Sequence, residues 1–224
     1  MTAIIASAAD TTQPSNSGDW GEQNLPSGIA ADDLLIAAFA IDANPVGGAT
    51  PTGWTVLEAQ FGTAGVTLRP YWRKATADAN DACDMSTVGH NQQGVCRIFR
   101  ITGAEDPDTT APFAGSTRTG TSATPFVNAC TPTGGSDDYL WLALNAHDHD
   151  RSFTSGPTNY QGDDGTISSG GSQGAQLSYG SRALTAASED PDNFTYGASD
   201  GYASLLIAIY PAAVSDVLQS QIMM

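Results

Sequence analysis

Apolar residues gather in short runs along the chain: 34–41 (Leu-Leu-Ile-Ala-Ala-Phe-Ala-Ile), 66–72, 95–101, 139–144 and 204–210. Each run has strand length, and most are bounded by Gly, Pro, Asn or Asp, which punctuate strands. Within 95–101, alternation puts Cys96, Ile98 and Arg100 on one face and Val95, Arg97, Phe99 and Ile101 on the other. A sustained 3.6-residue period with caps is missing, and the Ala/Asp-rich segment 75–84 predicts a turn of helix at most. Many short strands with Gly/Pro turns and no intervening helices predict antiparallel pairing in a sandwich or barrel.

The runs recur in order. Pro26-Ser27-Gly28 aligns with Pro132-Thr133-Gly134, Asp32-Asp33-Leu34-Leu35 with Asp137-Asp138-Tyr139-Leu140, and Pro51-Thr52-Gly53-Trp54 with Pro157-Thr158-Asn159-Tyr160. Arg73-Lys74-Ala75 then aligns with Arg182-Ala183-Leu184, and 95–101 with 203–209, at offsets of 106, 105, 106, 109 and 108. Such a series predicts a duplicated unit. Halves of about 1–104 and 112–211 each supply four or five strands, too few to bury both faces alone. Together they predict one jelly-roll-like antiparallel β-sandwich domain of about 8–10 strands over 1–211, followed by a tail, 212–224. The stretch Ala104-Glu105-Asp106-Pro107-Asp108 is too short to link independent domains.

Charge narrows the partners. Lys+Arg number 8 and Asp+Glu 24, giving −16, and Lys74 is the one lysine. So acidic a chain repels phosphate, which argues against nucleic acid and anionic bilayers as partners. Charged residues are 14% of the chain, so Ser, Thr, Asn, Gln and Gly must form much of the polar surface. Three cysteines, Cys83, Cys96 and Cys130, are odd in number and sparse, which predicts free thiols and folding in a reducing cytosol. The start, MTAIIASAAD, lacks the basic segment and apolar length of a signal peptide, and no run reaches the roughly 18 apolar residues of a membrane span.

Candidate chemistry is thin. Gly170-Gly171-Ser172-Gln173-Gly174 has the form of a nucleophile elbow, but all three histidines, His90, His147 and His149, precede Ser172, and the flanks read as a flexible loop. In an extended Asn145-Ala146-His147-Asp148-His149-Asp150, His147 and His149 share a side and could meet a metal if His90 joined them; the other reading is a solvated rim loop. Asp163-Asp164 reads as a turn rather than a calcium loop. Trp72 and Trp141 lie inside strands and are expected in the core, whereas Trp20 and Trp54, near turns, are more open to a contact role. The expectation is therefore no catalytic residue, no cofactor and no metal.

The frame Pro-Ser-Gly-Ile-Ala-Ala-Asp-Asp-Leu-Leu-Ile-Ala-Ala-Phe (26–39), with Pro51-Thr52-Gly53-Trp54-Thr55-Val56-Leu57, Tyr71-Trp72-Arg73-Lys74-Ala75 and Ile98-Phe99-Arg100-Ile101-Thr102-Gly103-Ala104, resembles tailed-bacteriophage virion structural proteins with a jelly-roll sandwich. The resemblance implies a capsid decoration (cement) protein on the outer surface of the head, assembled in the host cytoplasm as a homo-oligomer, a trimer by preference. Its partner would be the major capsid protein. The alternative is a tail or fibre module that binds a receptor or carbohydrate through the rim loops, with Phe153 and Tyr160 as stacking surfaces. Apolar terminal segments are the expected assembly contacts: Ile4 and Ile5 at the start, and Val217, Leu218, Ile222, Met223 and Met224 in the tail.

Overall fold

The computed structural model describes residues 2–13, 20–43, 49–63, 65–76, 82–84, 92–149, 151–162, 167–169 and 174–213. The first half contributes β1 (Ile4–Gln13), β2 (Glu22–Gln23), β3 (Leu34–Ile41), β4 (Thr55–Val56), β5 (Phe61–Gly62), β6 (Thr67–Lys74), β7 (Cys83–Asp84) and β8 (Gly94–Thr102). The second contributes β9 (Phe113–Ala114), β10 (Arg118–Ser122), β11 (Asp137–Asp148), β12 (Phe153–Ser155), β13 (Ile167–Ser168), β14 (Ala175–Ala186), β15 (Thr195–Tyr196) and β16 (Asp200–Ile209). No helix occurs among the described residues. Half of the segment 75–84, where a turn of helix was expected, lies outside them, and its last two residues form β7.

Each half makes one principal sheet and a two-stranded ribbon, β2-β7 in the first and β12-β15 in the second. The first principal sheet is ordered β1-β8-β3-β6-β4 with β5 also on β6, the second β10-β16-β11-β14-β13 with β9 also on β16, and every pairing is antiparallel. The long strands of each half thus follow the same order: first, fourth, second, third. Consecutive long strands stay within a sheet, and the chain passes between the principal sheets once. The all-β sandwich read from the hydrophobic runs is the fold the chain adopts.

The duplication extends to small features. Gln23 pairs with Cys83 on β2 and β7, and Cys130 pairs with Glu189 in an isolated bridge one repeat later. Trp54 N–H donates to Pro51 O at 3.0 Å, and Tyr160 N–H donates to Pro157 O at 3.1 Å, closing matching turns. One alignment needs correction. Leu34 lies opposite Ile101 and Leu140 opposite Ile209, so the equivalent of Leu34 is Leu140, at offset 106 and not the 105 suggested by the Asp-Asp doublets. A one-residue slip exchanges the two faces of a strand.

With that register the two inner faces match. Leu34, Ile36, Ala38 and Ala40 on β3, and Leu140, Leu142, Leu144 and Ala146 on β11, point into a shared core, joined by Val95, Phe99 and Ile101 of β8 and Ala203, Ile207 and Ile209 of β16. The alternate residues are buried too, under loops on the outer faces. Leu35, Phe39, Cys96 and Ile98 lie under Trp20 and Trp54, while Tyr139, Trp141 and Leu206 lie with Tyr160, Phe194 and Tyr196. The expected division of 95–101 between faces holds for its apolar residues. Strands buried on both faces explain why the runs are continuous rather than alternating.

The connector between halves is pinned. Lys74 Nζ, at the end of β6, reaches Asp106 Oδ2 at 2.9 Å, Asp32 Oδ1 at 3.2 Å and Asp108 Oδ2 at 3.3 Å. The hydrogen bond to Asp106 holds the ammonium above its ordinary pKa and the carboxyl below its own. Beside it, Glu105 N–H donates to Tyr210 O at 2.9 Å and Ala212 N–H to Gly103 O at 2.8 Å, so the connector also ties down the end of β16.

Cys83, Cys96 and Cys130 are free and buried, as the odd count led us to expect. Burial pushes the Cys83 thiol up to about 12, Cys130 up to about 11, and Cys96 well above its usual value. Thiolate is the reactive form. Ellman's reagent should therefore leave native protein unmodified and titrate all three thiols in guanidinium chloride; prompt reaction of the native protein would contradict this packing.

Candidate functional site

The strongest convergence of chemistry-bearing side chains lies at one rim of the sandwich, where β3 and β11 end and β16 begins. Asp148 closes β11, and the next residue, His149, adopts a φ of +62°. That left-handed conformation breaks the strand alternation. It carries the imidazole to Asp148 and Asp200: Nδ1 lies 2.6 Å from Asp200 Oδ2 and 3.8 Å from Asp148 Oδ2. His149 N–H donates to Gly174 O at 2.7 Å, fixing the turn. Arg151 closes the group, with Nε 3.1 Å and NH2 2.6 Å from Asp200 Oδ2.

The other sheet contributes to the same rim. Gly65, before β6, has a φ of +119°, and a Cβ there would lie 2.1 Å from Asp148 Oδ2. Only glycine lets the second half's carboxylate approach the first half's backbone this closely. Asp42, just beyond β3, is raised to about 6 by burial and by the negative charge of Asp148. Burial also raises Asp148, with Asp200 adding to the effect. For Asp200 burial acts in the same direction, but hydrogen bonds from Arg151 and His149 outweigh it and hold the carboxyl below its ordinary value. The rim thus gathers three carboxylates against one guanidinium and one imidazole.

His147 does not join His149. It is buried on the outer face of the second sheet, stacked on Tyr196 with ring centroids 4.1 Å apart. Nδ1 lies 2.9 Å from Asp148 O and Nε2 3.3 Å from Ser122 O, so each nitrogen faces a backbone carbonyl and the neutral ring, which burial favours, donates to one of them. The alternative in which the two imidazoles share a side fails because β11 ends between them. Asp148, expected on the opposite side, is the residue that meets His149. His90, Asp163, Asp164 and most of the Gly-x-Ser-x-Gly stretch lie outside the described residues.

The aromatic expectations also change. Trp141 is fully buried and Trp72 packs partly buried against the inter-sheet core, as expected. Trp20 and Trp54, read as more open to contact, are buried as well: Trp20 Nε1 donates to Gln92 O at 3.0 Å and Trp54 Nε1 to Ala82 O at 3.1 Å. Loops fold over the outer sheet faces, and these rings are what they bury. Tyr160 offers no platform either, and Phe153 is half-buried. Tyr160 is buried with its hydroxyl donating to Glu189 Oε1 at 3.2 Å, and Phe153 packs edge-on against Tyr196.

Compared with family models, curated proteins and solved structures, the chain matches none. Among the expected contact residues, Ile4 is 53% exposed at the start of the edge strand β1, one of two large apolar side chains so exposed among the described residues. Ile5 packs partly buried against the inter-sheet core. Val217, Leu218, Ile222, Met223 and Met224 lie outside the described residues. Asp42 and Asp200 were missed by sequence reasoning because each is an isolated charged residue near a strand end, a pattern with no signature of its own, and Arg151 because it lies just past the His-Asp-His-Asp stretch.

Proposed function

We propose that this protein is a virion structural protein that decorates the outer surface of a phage head and stabilises the shell, working by adhesion as a homo-oligomer on the major capsid protein. The observation that carries this reading is Ile4: a large apolar side chain held in solvent at the open edge of a sheet, beside a shallow groove formed by Ala3, Leu140, Asn159 and Ala183. An exposed apolar residue on an unpaired edge is what a neighbouring subunit covers. A charge of −16 suits a surface facing away from packaged DNA. The doubly buried sheets provide a stiff block, and a block that binds only the assembled shell stabilises it by mass action, by about 2.7 kcal/mol per site at 100 times its dissociation constant.

Mass spectrometry and cryo-EM of purified particles encoded by the same genome test the reading. The protein should occupy the outer head surface in symmetric copies; absence from the particles overturns the proposal. Ile4→Asp should leave folding stability within about 0.5 kcal/mol, as for other surface substitutions. The same change should abolish oligomers in sedimentation and empty the head sites. Full occupancy by that variant would remove β1 from the interface.

A further inference from the structure

The geometry points to a divalent transition-metal site at the rim, built from Asp148, His149 and Asp200, a site that stands whether or not the protein decorates a capsid. One ligand atom from each residue lies within 4.8 Å of the other two. Bonds of about 2.0–2.2 Å in a tetrahedral zinc shell set ligand atoms about 3.3–3.6 Å apart, so the widest separation needs to close by a little over an ångström.

An independent feature points to a cation. The Asp148 side chain is 9% exposed, and its Oδ1 is buried with no hydrogen-bond partner. Buried carboxylate oxygens are ordinarily satisfied by donors or by metals. Here the other oxygen faces Gly65, where an added Cβ would stand 2.1 Å from it, and Arg151 is spent on Asp200. Local charge agrees: with a neutral imidazole, Asp42, Asp148 and Asp200 against Arg151 leave an excess of two negative charges.

The donor set selects the ion. One imidazole with carboxylates suits zinc or manganese; calcium prefers six to eight oxygens. Three protein ligands leave a position for water or for a group from a neighbouring chain. Arg151 opposes binding, since it shares Asp200 Oδ2 and its NH2 lies 3.5 Å from His149 Nδ1. The same residue therefore makes the proposal discriminating.

Isothermal titration of the metal-stripped full chain with zinc chloride near neutral pH, repeated with manganese and calcium, is the test. One zinc per chain is expected, with calcium at least tenfold weaker. Asp148→Asn and His149→Ala should each weaken zinc binding at least tenfold, and Arg151→Gln should strengthen it severalfold, a gain that a purely structural cluster does not predict. Lack of zinc and manganese binding overturns the site, as does zinc binding untouched by both ligand substitutions. If the variants fail to fold, the imidazole signals of the wild-type chain decide: zinc must shift those of His149, and a shift confined to His90 or His147 overturns the assignment.

Discussion

Residues 1–104 expressed without the second half should fail to fold cooperatively, as should 112–211 alone, whereas the two fragments mixed from denaturant should recover native circular dichroism and a single unfolding transition. The shared core draws ten of its twenty buried residues from each half. In the first half these include Leu34, Ile36, Val66, Leu68, Val95, Phe99 and Ile101. Exposing side chains of that size costs about 1.5–3 kcal/mol each. Seven together cost about 10 kcal/mol or more, which matches or exceeds the roughly 5–15 kcal/mol by which a domain is stable at all. Each half keeps an outer core, so an isolated fragment should collapse and bind a hydrophobic dye rather than remain a coil. A fragment with a sharp thermal transition and no dye binding would show that the outer cores suffice, and the protein would then be two domains sharing a face.

The same burial explains how much was legible. β3, β6, β8, β11 and β16 stood out because sheets covered on both faces need continuous apolar runs. β1 and β10 did not: they are edge strands, and Ala-Ser-Ala-Ala-Asp-Thr-Thr or Arg-Thr-Gly-Thr-Ser alternates small and polar residues with little hydrophobic contrast. The repeat was visible in its turns and misaligned at one of them, because Asp32-Asp33 precede β3 whereas Asp137-Asp138 already open β11, while the core register is set by Leu34 and Leu140. The rim cluster was half legible. His149 and Asp148 attracted attention as neighbours, but strand alternation put them on opposite sides, and one left-handed residue reversed that. Asp200 joins them through the long-range pairing of β16 with β11, and Asp42 through the packing of one sheet on the other, and neither has a local trace in the chain. Trp20, Trp54 and Tyr160 misled for a related reason: residues near turns are expected at the surface, and here the turns themselves form a covering layer.

Duplication also supplies an internal control for one buried ion pair. Arg97 occupies the inner-face position on β8 that Leu205 occupies on β16, since β8 and β16 match at offset 108 through Ile101 and Ile209. Leu205 is fully buried in the shared core. Arg97 reaches a similar depth with a side chain 11% exposed, made tolerable by a bidentate bond to Asp10 on β1, Nε to Oδ1 and NH2 to Oδ2 at 2.5 Å each, and by lying 4.5 Å over the Tyr179 ring of the opposite sheet. Asp10→Ala should therefore cost more than an exposed pair. Stranding a fully buried charge costs roughly 3–5 kcal/mol. Asp10 is itself 34% exposed and water can reach the vacated site, so about 2 kcal/mol is expected. In a domain of this size that lowers the melting temperature by about 4–8 °C. The second half shows the alternative solution: opposite Leu205, between Gly115 and Arg118, the chain places Ser116 and Thr117. Asp10→Thr combined with Arg97→Leu should accordingly recover to within about 1 kcal/mol of the parent, because an apolar replacement of similar volume removes the desolvation cost together with the attraction. A double-mutant cycle gives the coupling directly, and a coupling near zero would mean that Arg97 is solvated and its depth in the sandwich is wrong.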